Sequence, residues 1–168
     1  MASIESLNAL PSEIARGEFL RCCGATLWAD AMTARRPFAD EAELFAAAAE
    51  SFRSLARADW LEAFAGHPKI GDLNSLRSKF AHTAAWSEQE QGTVAAAAEA
   101  TIRDLAAGNL AYEQKFGHIF IVCATGKTAA EMLALLQSRL PNSADDELCN
   151  AAAEQEKITQ LRLRRLCS

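Results

Sequence analysis

Asp40-Glu-Ala-Glu-Leu-Phe-Ala-Ala-Ala-Ala-Glu-Ser-Phe52 has the signature of an amphipathic helix. Asp40 is a residue type that caps a helix start, and Leu44, Phe45, Ala48 and Phe52 recur at helical spacing behind it. The same rhythm runs outward in both directions. Upstream, it predicts helices over about Ile4 to Leu10, from Pro11-Ser12 to about Cys23, and from Thr26 to Arg35, the last closed by Pro37. Downstream, a short helix with Trp60, Leu61 and Phe64 on one side stops at His67-Pro68. Gly71 to Trp86 is polar and poorly patterned and reads as a loop. Ser87 then opens a long helix through the Ala-rich segment Val94 to Ala107, which Gly108-Asn109 is expected to break or bend before Tyr112 to Phe116. The apolar run from Ile119 to Ala124 reads as a buried extended segment, because no partner strands are visible. Thr128, with Glu131 completing a capping box, starts a helix to about Leu140, and a last helix runs from about Ala144 to Leu166. The expected class is all-α, a single-domain multi-helix bundle over residues 1–168.

The composition agrees and narrows the function. A chain of 168 residues closes one hydrophobic core without staples, and its Ala content favours helix. A net charge of -5 argues against nucleic-acid binding, since Arg162, Arg164 and Arg165 form only one short basic patch. Five cysteines, odd in number and without CxxC spacing, read as reduced thiols in a cytoplasmic setting. MASIESLNAL lacks the pattern of a signal peptide, and Ile119 to Ala124 is too short to cross a bilayer, so no membrane association is expected.

Several familiar site motifs fail. Gly126-Lys127-Thr128 resembles the end of a phosphate-binding loop, but Ile121 stands where that loop needs glycine. His67, His82 and His118 have no HExxH or paired spacing, so no metal is expected, and there is no G-x-S-x-G elbow.

Three features carry a functional reading beside a structural one. Gly66-His67-Pro68-Lys69-Ile70-Gly71-Asp72 is a helix stop, which explains Pro68 and Gly71 but does not require an imidazole at the exit. Ser87-Glu88-Gln89-Glu90-Gln91 is a capping box, and the same helix start offers free N–H groups to an anionic ligand. Arg162 falls within an apolar arc drawn by Ile158, Leu161 and Leu166, where a guanidinium needs an anion from the protein or from a ligand.

Taken in order, His67-Pro68-x-Ile70-Gly71, Ser87-x-x-Glu90-Gln91, Asn109-x-x-Tyr112-x-x-Lys115-Phe116-Gly117-x-Ile119 on to Ala124, and Glu154-Gln155-x-Lys157-Ile158-Thr159-x-Leu161-Arg162 resemble the OHCU decarboxylases. These enzymes of urate breakdown act on 2-oxo-4-hydroxy-4-carboxy-5-ureidoimidazoline (OHCU). The likeness extends to Arg36-Pro37-Phe38 and Asp59-Trp60-Leu61. It implies an all-α, usually dimeric enzyme without metal or organic cofactor that makes (S)-allantoin and CO2. It also implies His67 and Glu90 as catalytic residues. Substrate would be held by Pro68, by Ser87, Glu88, Gln89, Glu90 and Gln91, by Phe120, Ile121, Val122, Cys123 and Ala124 (largely through main-chain groups), and by Arg162. His118, Lys69 and Asp72 receive no role. The rival classes are a non-catalytic helical binding module and a lyase or hydratase for a related ureido acid.

Overall fold

The structure is a computed structural model that describes residues 3–67, 73–80 and 91–167, with the backbone alone for 91–95. Among these residues there are nine α-helices and no strand, so the all-α class stands. They are α1 Ile4–Ala9, α2 Ser12–Cys22, α3 Thr26–Ala34, α4 Glu41–Arg53, α5 Arg57–Ala65, α6 Leu73–Phe80, α7 Gln91–Phe116, α8 Ala129–Arg139 and α9 Ala144–Cys167. Two compact units result. One comprises residues 3–67, 121–123 and 148–167; the other comprises 73–80, 91–120 and 124–147.

The first unit is built on Phe19, Trp28, Met32, Leu44, Phe64 and Leu163, all with at most 1 % of their surface exposed. Burying side chains of this size stabilises by about 1.5–3 kcal/mol each. The indole N–H of Trp28 donates to Ala48 O at 3.1 Å, which satisfies the one polar atom of that ring. Helix ends are tied across the unit rather than left to solvent. Asp40 caps α4 by accepting from Glu43 N at 2.9 Å, as its place in the sequence predicts. Glu62 of α5 accepts from Thr26 N at 3.0 Å and caps α3. Arg36 donates to Leu7 O at 3.0 Å and Leu10 O at 2.7 Å, closing the end of α1.

Two expectations in the second unit need correction. Part of the stretch from Gly71 to Trp86 is not loop: Leu73–Phe80 is helix α6. Its signal is Leu73, Leu76 and Phe80 at helical spacing, with Leu76 and Phe80 buried, and it was diluted by the polar residues between them. Gly108-Asn109 does not break α7, which is continuous from Gln91 to Phe116. A Cβ at Gly108 would lie 2.2 Å from Leu136 Cδ2 of α8, so this glycine serves close helix packing. The expected helix start at Ser87 lies outside the described residues.

The run from Ile119 to Ala124 is neither helix nor strand, and within it Ile121 is buried while its neighbours are half-buried. Gly117 and Gly126, each with φ 76°, bracket it in the left-handed region that glycine adopts without a Cβ penalty. The Thr128–Glu131 capping box at α8 is present with both of its bonds.

A buried polar cluster secures the second unit. The hydroxyl of Tyr112 donates to Glu147, Arg139 Nε donates to the same carboxylate at 2.7 Å, and Asn142 Nδ2 donates at 2.9 Å. Lys115 closes the end of α8 by donating to Leu140 O and Asn142 O at 2.5 and 2.9 Å.

Candidate active site

Helix α5 ends in a tightened turn. Gly66 N donates to Ala63 O at 3.3 Å and His67 N to Phe64 O at 3.1 Å. That turn fixes the backbone of His67 and leaves its imidazole half-buried within the first unit. Two side chains of α9 meet the ring. Gln155 Oε1 lies 2.6 Å from His67 Nε2, and Arg162 Nη2 lies 3.5 Å from His67 Nδ1.

The buried stripe of α9 differs from the arc drawn from sequence. Leu148, Ala151, Ala152, Gln155, Thr159 and Leu163 face the core, whereas Ile158, Leu161 and Leu166 are only half-buried. Arg162 flanks this stripe one turn beyond Thr159. Its Nη1 donates to Cys22 O at 3.3 Å and Arg21 O at 3.4 Å, the carbonyls at the end of α2. A cation is favoured there by the helix dipole. Among the described residues the guanidinium thus takes its acceptors from a helix terminus and turns its other edge toward His67.

Burial pushes the His67 imidazole below its ordinary value of 6.5. The bond to Gln155 opposes that shift, and the Arg162 charge adds to it. The thiols beside this spot shift for the same reason. Burial pushes Cys22 up to about 12 and raises Cys23 as well.

Residues 121–123 belong to the same unit, and α9 anchors them. Cys123 N donates to Glu154 Oε2 at 2.7 Å, and Lys157 pairs with that carboxylate at 2.5 Å. The Cys123 amide, one of the main-chain groups expected to face ligand, is therefore committed to the protein itself. Phe120 and Ala124 belong to the second unit, where the Phe120 ring stacks edge-on to Tyr112 at 5.1 Å and lies 4.7 Å beneath the Arg139 guanidinium. Val122 is half-buried. Pro68, Ser87, Glu88, Gln89 and Glu90 lie outside the described residues, as does the side chain of Gln91, whose backbone begins α7.

The sequence model of the OHCU decarboxylase family matches residues 8–164. The chain belongs to that family. Over 93% of its length it is 41% identical to the uric acid degradation bifunctional protein TTL of Arabidopsis thaliana, of which it covers 48%. It therefore spans about half the length of that plant relative. It is 30% identical, over 80% of its length and 77% of the relative's, to the 2-oxo-4-hydroxy-4-carboxy-5-ureidoimidazoline decarboxylase of Amia calva. A solved OHCU decarboxylase, crystallised in the presence of (S)-allantoin, superposes with a TM-score of 0.72 at 37% identity, covering 89% of this chain and 96% of that one.

For this OHCU decarboxylase family member, sequence reasoning gave Gln155 and Thr159 no role, although both stand in the quoted C-terminal motif. The available signal was positional. Polar residues at i and i+4, on the stripe otherwise made by Leu148, Ala152 and Leu163, sit where apolar side chains pack at no desolvation cost. Among the described residues, no three His, Cys, Asp or Glu side chains gather as metal ligands.

Proposed function

We propose that this chain removes CO2 from OHCU and delivers (S)-allantoin, working without a cofactor in urate breakdown, as a cytoplasmic homodimer. The observation that carries the reading is an imidazole held below its ordinary pKa against a guanidinium at the end of α5. Family membership supplies the substrate class.

The chemistry asks little of an external electron sink. The carboxylate leaves a carbon that bears a hydroxyl and adjoins the C=N carbon bearing the ureido group. As the C–C bond breaks, its pair forms a double bond between the two ring carbons, and the C=N pair moves onto nitrogen, which takes a proton. The hydroxyl then gives up its proton and becomes a carbonyl, while the ureido-bearing carbon gains one. Overall one proton is taken up per ionised carboxylate. The handedness of allantoin is set by the face on which that carbon is protonated.

His67, neutral near pH 7, accepts the hydroxyl proton and returns it to the ureido-bearing carbon. Arg162 offsets the carboxylate charge, and Glu90 orients the substrate and tunes the imidazole. Ser87, Glu88, Gln89 and Gln91, with Pro68 at the wall and Phe120 to Ala124 alongside, hold the ring and ureido. No described helix is long and apolar enough to cross a membrane.

The test is stereochemical, because the substrate also decays unaided. Freshly generated OHCU is mixed with the protein, and the enantiomeric excess of allantoin is followed by circular dichroism. Excess (S)-allantoin is expected, and replacing His67 by Asn should abolish the excess with the fold retained. A racemic product from the unmodified protein, or a full excess from His67→Asn, overturns the reading. Sedimentation equilibrium tests the dimer.

A further inference from the structure

We propose that Gln155 and Thr159 are positioning residues that hold the His67 imidazole in one tautomer, with its proton on Nε2 and its lone pair on Nδ1. This rests on the proposed function only where it names that lone pair as the base of the reaction.

The assignment follows from counting protons along three side chains. Thr159 Oγ1 donates its single proton to the backbone carbonyl of Gln155, one turn earlier, at 2.9 Å. Toward the Gln155 side chain, 3.2 Å away, that oxygen is left only to accept, so the amide NH2 of Gln155 faces Thr159. The amide oxygen is then the atom 2.6 Å from His67 Nε2, and an amide oxygen only accepts. The imidazole must present N–H there. A neutral imidazole has one N–H, which leaves Nδ1 bare, and the group opposite Nδ1 is Arg162 Nη2, a donor only. Two contacts on opposite sides of the ring demand the same tautomer.

The alternatives conflict with the packing. The other tautomer sets two lone pairs 2.6 Å apart. Flipping the amide turns its oxygen onto Thr159 and takes the Thr159 proton from the Gln155 carbonyl. Gln155 is 0% and Thr159 2% exposed, so water does not compensate for either change.

During turnover this arrangement keeps one proton still and moves the other. The Nε2–H bond to Gln155 persists when the ring becomes imidazolium, so only Nδ1 gains and loses a proton. Arg162 stands beside that atom and disfavours its staying charged, which promotes return of the proton to the substrate. Among the described residues, the other titratable groups near Arg162 and Thr159 are Cys22 and Cys23 from α2 and its exit.

The experiment is 15N NMR of histidine-labelled protein across pH, with His67 assigned through His67→Asn, alongside kcat and KM. In the unmodified protein the neutral ring should show a protonated Nε2 and a bare Nδ1, and Thr159→Ser should keep that signature. Gln155→Met should draw the two shifts together as tautomers mix, and should lower kcat roughly 10- to 100-fold, as loss of an orienting partner does, with KM little changed. Gln155→Glu should raise the His67 pKa and move the acid limb of kcat to higher pH. A neutral ring protonated on Nδ1, or shifts unmoved in Gln155→Met, overturns the proposal. Should the shifts move as expected while kcat does not, the relay stands and the role of His67 in the chemistry is what fails.

Discussion

Arg162 Nη2 stands 3.5 Å from His67 Nδ1, so a fixed positive charge faces the one imidazole that the chain places at the end of α5. Burial is the larger cause of the lowered His67 pKa, and this charge reinforces it. Proton acceptance requires the neutral ring. The acid limb of kcat/KM is therefore expected below 6.5, the ordinary value for histidine, and activity should persist at mildly acidic pH. Stability follows with a definite sign. As pH falls below 6.5 the unfolded chain binds a proton at this residue before the folded chain does, so the folded state loses stability until its own lower pKa is reached. Urea midpoints measured across that window should fall in the unmodified protein and stay flatter in His67→Asn.

Most of the helical framework was legible because periodicity and caps agree. The Asp40 and Thr128 caps, and the break after α5, each have a local cause written in adjacent residues. What escaped depends on partners distant in the chain. Helix α6 is held by two buried side chains among polar ones, and the glycine of α7 is explained by a leucine of α8. The site divides the same way. His67 and Arg162 were visible as residues needing an explanation, whereas the acceptors of Arg162 are backbone carbonyls of Arg21 and Cys22, which no side-chain pattern announces. Gln155 and Thr159 looked like ordinary polar helix residues until the orientation of α9 placed them inward.

Gly108→Ala sets helix propensity against packing. An alanine inside a helix gains about 1 kcal/mol over glycine. Here the new Cβ lies 2.2 Å from Cδ2 of Leu136, a side chain with no exposed surface, so the neighbour must be displaced within a filled core. Overpacking of that kind costs about 1–3 kcal/mol. A net loss is expected, seen as a lower denaturation midpoint. Pairing the change with Leu136→Ala should cost less than the two singles added, because the shortened side chain vacates the space.

Glu147 receives donors from Tyr112, Arg139 and Asn142 and has no exposed surface. Burial alone would raise its pKa, but the bonds from Arg139, Tyr112 and Asn142 and the Arg139 charge bring it below the ordinary 4.5. Its contribution is therefore complete above pH 4.5 and is lost as pH falls toward the lower folded value. Glu147→Ala removes the buried carboxylate that pairs with the Arg139 guanidinium, 11% exposed, and should destabilise by about 3–5 kcal/mol. Urea denaturation at pH 7 measures the loss, and the decline below pH 4.5 should be shallower in the variant than in the unmodified protein.

The clamp that Arg162 forms on α2 and the substrate contact proposed for it are separated by one pair of measurements. As a cation at the end of α2 it should contribute about 0.3–1 kcal/mol to stability. As the partner of a substrate carboxylate it should contribute more, since a hydrogen bond to a charged group is worth about 1.5–3 kcal/mol, or roughly 10- to 100-fold in KM. Arg162→Ala should lose both contributions. Arg162→Lys keeps the charge, but its single ammonium cannot span the α2 carbonyls and the site together. It should therefore retain most of the stability while KM stays raised. A KM unchanged in Arg162→Ala, with the denaturation midpoint lowered, would leave Arg162 as a clamp on α2 and return the neutralisation of substrate charge to another residue.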